Sequence, residues 1–150
     1  MEYKVTIPEE AFDLLDFKKD DLPGVAVINS SLKKFEAKEV FAWHCSIIID
    51  LENLAENGMP LQEEMVITDK FGDYLDLMIK TLSERPNALF LARITWNGTR
   101  EFIYRVYDAD ITDRFLLKVI EEKLHPREFD FRIDLDKDWE LVKWHLTDWE

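Results

Sequence analysis

Residues 88–107 read ALFLARITWNGTREFIYRVY. Apolar and polar side chains alternate through 88–96 and again through 100–107, the period of a strand half buried in a sheet. Between the two runs stands Asn97-Gly98, and both residues tolerate the positive φ that a two-residue type I′ turn demands. The stretch therefore predicts a β-hairpin. Such a turn sets the register: Trp96 opposes Thr99, Thr95 opposes Arg100, Arg93 opposes Phe102 and Leu91 opposes Tyr104. The side chains then fall into two rows. One holds Phe90, Ala92, Ile94, Trp96, Glu101, Ile103 and Arg105; the other holds Leu91, Arg93, Thr95, Arg100, Phe102 and Tyr104. The first has the more apolar centre, so it is expected beneath helices, with the second left free.

The flanking sequence supplies those helices. Residues 40–51 alternate, with Trp43, Cys45, Ile47, Ile49 and Leu51 on one side and Ala42, His44, Ser46, Ile48 and Asp50 on the other, which predicts a strand with one apolar face. Asn57-Gly58-Met59-Pro60 turns into a helix, since proline suits the first helical position. Across 61–82, Leu61, Met65, Phe71, Leu75, Met78, Ile79 and Leu82 keep helical spacing, with a weak point at Gly72. Asp108 or Asp110 can cap a second helix carrying Ile111, Phe115, Leu116, Val119, Ile120 and Leu124, which Pro126 ends. Phe129, Phe131 and Ile133 alternate with Asp130, Arg132 and Asp134 in a last strand. The order β-α-β-β-α-β predicts an α+β, ferredoxin-like βαββαβ fold: an antiparallel sheet in spatial order 4-1-3-2 with both helices on one face.

Residues 1–39 are read as an N-terminal extension with a short helix over 9–17 and a strand over 25–29, and 136–150 as a C-terminal segment carrying Trp139, Trp144 and Trp149. Both are candidates to cover the helix-free face or to extend a sheet edge. No linker or repeat interrupts the chain, so 1–150 is expected to form one domain with its core over 40–135.

With 150 residues, 47% hydrophobic and 34% charged, the chain is too apolar for disorder and too charged for a membrane span. Its acidic start lacks the pattern of an export signal. The lone Cys45 rules out an intrachain disulfide, so a reducing cytoplasm is the expected compartment. The net charge is −13 and every third of the chain is negative. Direct nucleic-acid binding, which draws on Lys and Arg neutralising phosphates, is therefore disfavoured, and a protein partner fits better. Oligomeric state is left open.

The nominated face holds Arg93, Thr95, Arg100, Phe102 and Tyr104 from the hairpin, His44 from the 40–51 strand and Arg132 from the last. Arginine's planar fork suits carboxylates and phosphates. Either these arginines form an anion or partner-carboxylate site, with His44 able to move protons, or they are laced to Asp130, Asp134 and other acids as a solvated ion-pair network. No constellation for nucleophilic catalysis, no glycine-rich phosphate loop and no paired metal-ligand spacing occurs, so neither cofactor nor metal is expected. The run Asp134-Leu135-Asp136-Lys137-Asp138 opens like a calcium loop but has Trp139 and His145 where Gly and Glu are required; Asp136 or Asp138 is better read as the cap of a short closing helix.

Asn57-Gly58-Met59-Pro60 with Glu63-Glu64, then Ala92-Arg93-Ile94-Thr95 and Asn97-Gly98-Thr99-Arg100-Glu101-Phe102-Ile103-Tyr104, and the late Asp138-Trp139, together resemble domain-of-unknown-function family 695, a bacterial family. The resemblance covers most of the chain. It implies a fold related to the acidic inhibitor-type regulator of ribonuclease E, and with it a non-catalytic, acidic, protein-binding or regulatory role; the alternative is a small-anion-binding protein or enzyme. The family's hairpin motif falls on Arg93, Thr95, Arg100 and Tyr104, while 126–132 and Trp144-His145-Leu146 depart from its pattern.

Overall fold

A computed structural model describes residues 4–147, so Trp149 lies outside the described residues. The chain is α+β, with one six-stranded antiparallel sheet and two α-helices: β1 (Phe12–Lys19), β2 (Leu22–Asn29), β3 (Trp43–Asp50), α1 (Gln62–Lys80), β4 (Ala88–Trp96), β5 (Thr99–Val106), α2 (Ala109–Glu121) and β6 (Phe129–Leu135). Short 3-10 turns at Ser30–Leu32, Lys38–Phe41 and Glu140–Val142 complete it. The strand order is β1-β2-β4-β5-β3-β6, so the sheet is larger than the four strands expected, with the β1–β2 hairpin added outside β4.

The added hairpin corrects the N-terminal reading: residues 12–17 are strand, not helix. FDLLDFKK satisfies a helical spacing of apolar groups as well as an alternating one, and pairing decides between them. Asp20 and Asp21 both take positive φ, 52° and 62°, which aspartate tolerates better than most residues. They close a two-residue turn that zips β1 onto β2 from Lys19↔Leu22 to Phe12↔Asn29.

The central hairpin forms as its turn residues dictate, with Asn97 at φ 46° and Gly98 at φ 76° and with Trp96↔Thr99, Thr95↔Arg100 and Arg93↔Phe102 opposed. Farther from the turn a bulge between Phe90 and Ala92 inserts one residue, so Tyr104 opposes Phe90 rather than Leu91. A bulge reverses the parity of everything beyond it.

The face assignment is reversed. Cys45 opposes Tyr104, Ile47 opposes Phe102 and Ile49 opposes Arg100, and directly opposed residues of an antiparallel pair share a face. The apolar row of β3 therefore carries Arg100, Phe102 and Tyr104 with it to the helical side. There Phe102 and Tyr104 pack with Phe71, Leu75 and Ile79 of α1 and Leu116 and Val119 of α2. Ile94 and Ile103, expected beneath the helices, point the other way. The alternation misled because both faces of the sheet are covered, so the apolar content of one hairpin cannot tell them apart.

The second layer comes from the terminal segments. Leu32, Phe35 and Phe41 from the N-terminal side and Trp139 and Val142 from the C-terminal side close over Ala26, Ile28, Leu91, Ala92 and Ile103. Trp139 is the keystone. It is 2% exposed, its Nε1 donates to the carbonyls of Lys38 and Phe41 at 3.0 Å each, and the Arg105 guanidinium lies 4.8 Å from its ring centroid. Asp136 caps the closing turn by accepting from the backbone N–H groups of Glu140 and Leu141. No helix among the described residues is long and apolar enough to cross a membrane.

Candidate functional site

α1 packs toward β4 and α2 toward β6, so the helical face of the outer strands β1 and β2 lies beside α1 rather than under it. Here a cleft of about 310 Å³ opens between α1 and the sheet. One stripe of α1, Asp69, Gly72, Asp73, Asp76 and Lys80, forms its wall; Phe90, Arg93, Phe102 and Tyr104 form its floor; Val27, Phe12 and Glu10 close the outer side. Spacings of three and four residues place the wall residues on one helical face.

At one end Arg100, 2% exposed, donates from Nε to Thr95 Oγ1 at 3.1 Å and from Nη1 to Thr68 Oγ1 at 3.2 Å and Asp69 Oδ1 at 2.6 Å. Arg93, about a third exposed, reaches the same Asp69 oxygen only at 3.8 Å. Two guanidiniums thus share one carboxylate. Burial, and then the neighbouring Arg93, lower the Arg100 pKa. At the other end the Tyr104 hydroxyl donates to Asp76 Oδ1 at 2.8 Å, and Lys80 bridges Asp76 and Glu10 at 3.0 Å each. Burial and the Asp76 carboxylate raise Tyr104 well above the ordinary phenol range, so the phenol stays a neutral donor. Between the two ends Asp73 has no ion-pair partner among the described residues. The Phe12, Phe90 and Tyr104 rings meet edge to face in sequence, 5.9 and 5.7 Å between centroids.

Five of the seven nominated residues, Arg93, Thr95, Arg100, Phe102 and Tyr104, are therefore together, though under the rim of α1 and not on a helix-free face. The other two are not with them. Arg132 opposes Ser46 on the reverse face, with a 68% exposed side chain paired to Asp134 at 2.7 Å. His44 is buried on that reverse face, its Nδ1 3.5 Å from Arg105 Nη1, and Arg105 is ion-paired to Asp136 at 2.9 Å. Burial, with the Arg105 charge second, pushes the His44 pKa down to about 4. An imidazole so placed is a structural acceptor. The residues missed from sequence are the α1 carboxylates Asp69, Asp73 and Asp76, whose i, i+4, i+7 spacing was the available signal.

Among the described residues no group of three or more His, Cys, Asp or Glu side chains is arranged to hold a metal ion. A family model described as a family of unknown function, DUF695, matches residues 16–144. The chain belongs to the DUF695 family. The match takes in both helices and every strand except the first residues of β1, and with them the whole floor and wall of the cleft; of its outer side it leaves out Glu10 and Phe12. No curated protein and no solved structure matches this DUF695 chain at a significant level.

Proposed function

We propose that this DUF695 protein is a non-catalytic binding module that holds a basic segment of a partner protein in the cleft beside α1. The observation that carries this reading is the stripe of Asp69, Asp73 and Asp76 standing over the rings of Phe90, Phe102 and Tyr104. A lysine or arginine side chain entering between them meets a carboxylate on one side and the negative face of aromatic rings on the other, contacts that favour cations. The rim cations Lys80 and Arg93 are already paired, whereas Asp73 has no ion-pair partner among the described residues. Phe12 and Leu14, 55% and 72% exposed on the adjacent face of β1, offer apolar contact for the rest of the segment. The net charge of −13 steers a basic partner toward the surface.

A random-peptide display selection tests it. Enriched peptides carry Lys or Arg beside an apolar residue and lose binding to Asp73→Asn. Enrichment without basic bias, or binding that Asp73→Asn leaves unchanged, contradicts the reading. A small anion seated on Arg93 is the second reading, favoured because Arg93 and Arg100 share Asp69; saturable binding of inorganic phosphate that Arg93→Ala abolishes supports it instead.

The order β4-β5-β3-β6 with both helices on one face supports describing the inner part of the fold as a ferredoxin-like unit extended by the β1–β2 hairpin. That arrangement and the net charge of −13 support a fold-level likeness to the acidic inhibitor-type regulator of ribonuclease E. The single buried thiol of Cys45 supports a reducing cytoplasm as the setting.

A further inference from the structure

On the reverse face of the sheet, near the tips of both hairpins, lies a second and larger cavity of about 510 Å³, within the usual size range of small-molecule sites. Its aromatic walls are Phe17, Trp96 and Trp144, and its polar side chains include Lys19, Glu101 and His145, while Lys18 borders it from the opposite row of β1. Lys19 and Glu101 are held in place. The Trp96 Nε1 donates to the Lys19 carbonyl at 3.1 Å, and the Lys19 ammonium lies 4.9 Å from the Trp96 ring centroid. Ser46, 3% exposed, donates its hydroxyl to Glu101 Oε2, which fixes the carboxylate while Oε1 makes no hydrogen bond among the described residues.

The charge balance departs from the molecule's. One lysine, Lys19, stands beside one carboxylate here, in a chain whose acids outnumber its bases 32 to 19. A cavity with aromatic walls, one oriented acceptor and one cation held at its rim selects a flat ring carrying N–H donors and an anionic group. We propose that this cavity is a small-molecule site for an anionic, planar heteroaromatic compound of the guanine nucleotide type. The ring packs against Trp144 and Trp96, adjacent N–H groups of its edge donate to Glu101, and the phosphate pairs with Lys19. Guanine offers two neighbouring N–H donors to a carboxylate. Adenine's matching edge mixes a donor with an acceptor, so Glu101 discriminates against it. The proposal is independent of the α1 cleft.

Titration of the full chain with GMP, followed by tryptophan fluorescence and by NMR, tests it, with AMP and ribose 5-phosphate as comparison probes. The expected result is saturable quenching by GMP, binding of AMP at least about tenfold weaker, and none of ribose 5-phosphate. Trp144→Ala, at a side chain that is 47% exposed, and Glu101→Gln each weaken GMP about tenfold or more while circular dichroism is unchanged. Absence of saturable quenching by GMP, equal affinity for AMP, or unaltered binding by folded Trp144→Ala overturns the proposal.

Discussion

Gly72 of α1 sits so close to Phe102 of β5 that a Cβ built on it lies 2.8 Å from the Phe102 ring Cζ. Glycine in mid-helix costs about 1 kcal/mol relative to alanine, yet here it lets α1 approach the sheet and keeps Phe102 beneath the helix. Gly72→Ala gains the helical propensity and meets an overpacking cost of about 1–3 kcal/mol, so a net loss of about 1 kcal/mol is expected in urea unfolding. Adding Phe102→Leu returns part of that loss. Additive single effects in the cycle contradict the contact.

Glu64 ties three segments together. Fully buried, it accepts two 2.7 Å hydrogen bonds from Arg127 and one each, at 3.0 Å, from the Glu52 backbone and the Asn53 side chain. The Arg127 bonds are the main reason its pKa falls from 4.5 to about 2. A carboxyl lowered on folding contributes stability that is complete above its unfolded pKa and is lost as pH falls through the folded one. Glu64→Gln is therefore expected to cost about 3 kcal/mol at neutral pH, with the gap to wild type closing between pH 4.5 and about 2. A gap independent of pH contradicts the pairing.

His44 acts in the same pH direction through a different charge. Its pKa is lowered from 6.5 to about 4, mainly by burial, so folding opposes its protonation. The stability it contributes is complete above pH 6.5 and is withdrawn as pH falls toward 4. An NMR titration is expected to show the His44 imidazole neutral at pH 5.5, while Arg132, with its exposed pair, leaves the profile unmoved when replaced by Ala.

Trp139 anchors the C-terminal cover on the reverse face. Trp139→Ala removes a buried indole and both of its carbonyl contacts, with an expected cost of about 3–5 kcal/mol. It also loosens the cover first: amide exchange accelerates at residues 35–42 and 139–146 before the helical side of the sheet is affected. Uniform acceleration throughout the molecule contradicts a separate second layer.

The sequence made some of this legible and hid the rest for identifiable reasons. Asn97-Gly98 announced the central hairpin because its turn chemistry is local, and the register near the turn followed from it. The row facing α1 was not readable from 88–107, because residues on both sides of β4 and β5 are buried and the bulge at Leu91 breaks the alternation. The β3 row held the answer: Cys45, Ile47 and Ile49 are wholly buried under the helices, and whatever opposes them must follow. β1 was hidden because Asp20-Asp21 is a weaker turn signal than Asn-Gly. The cleft was half legible, its arginines and tyrosine from the hairpin pattern, its carboxylates only once α1 was placed above them.

The most direct test of the cleft is a ¹H–¹⁵N titration of the labelled chain with a short peptide containing arginine, lysine and phenylalanine. Saturable shifts are expected at Asp69, Asp73, Asp76, Phe90 and Arg93, reduced in Asp73→Asn and weakened by salt. Shifts confined to other surfaces, or saturable binding that Asp73→Asn leaves intact, contradict the account.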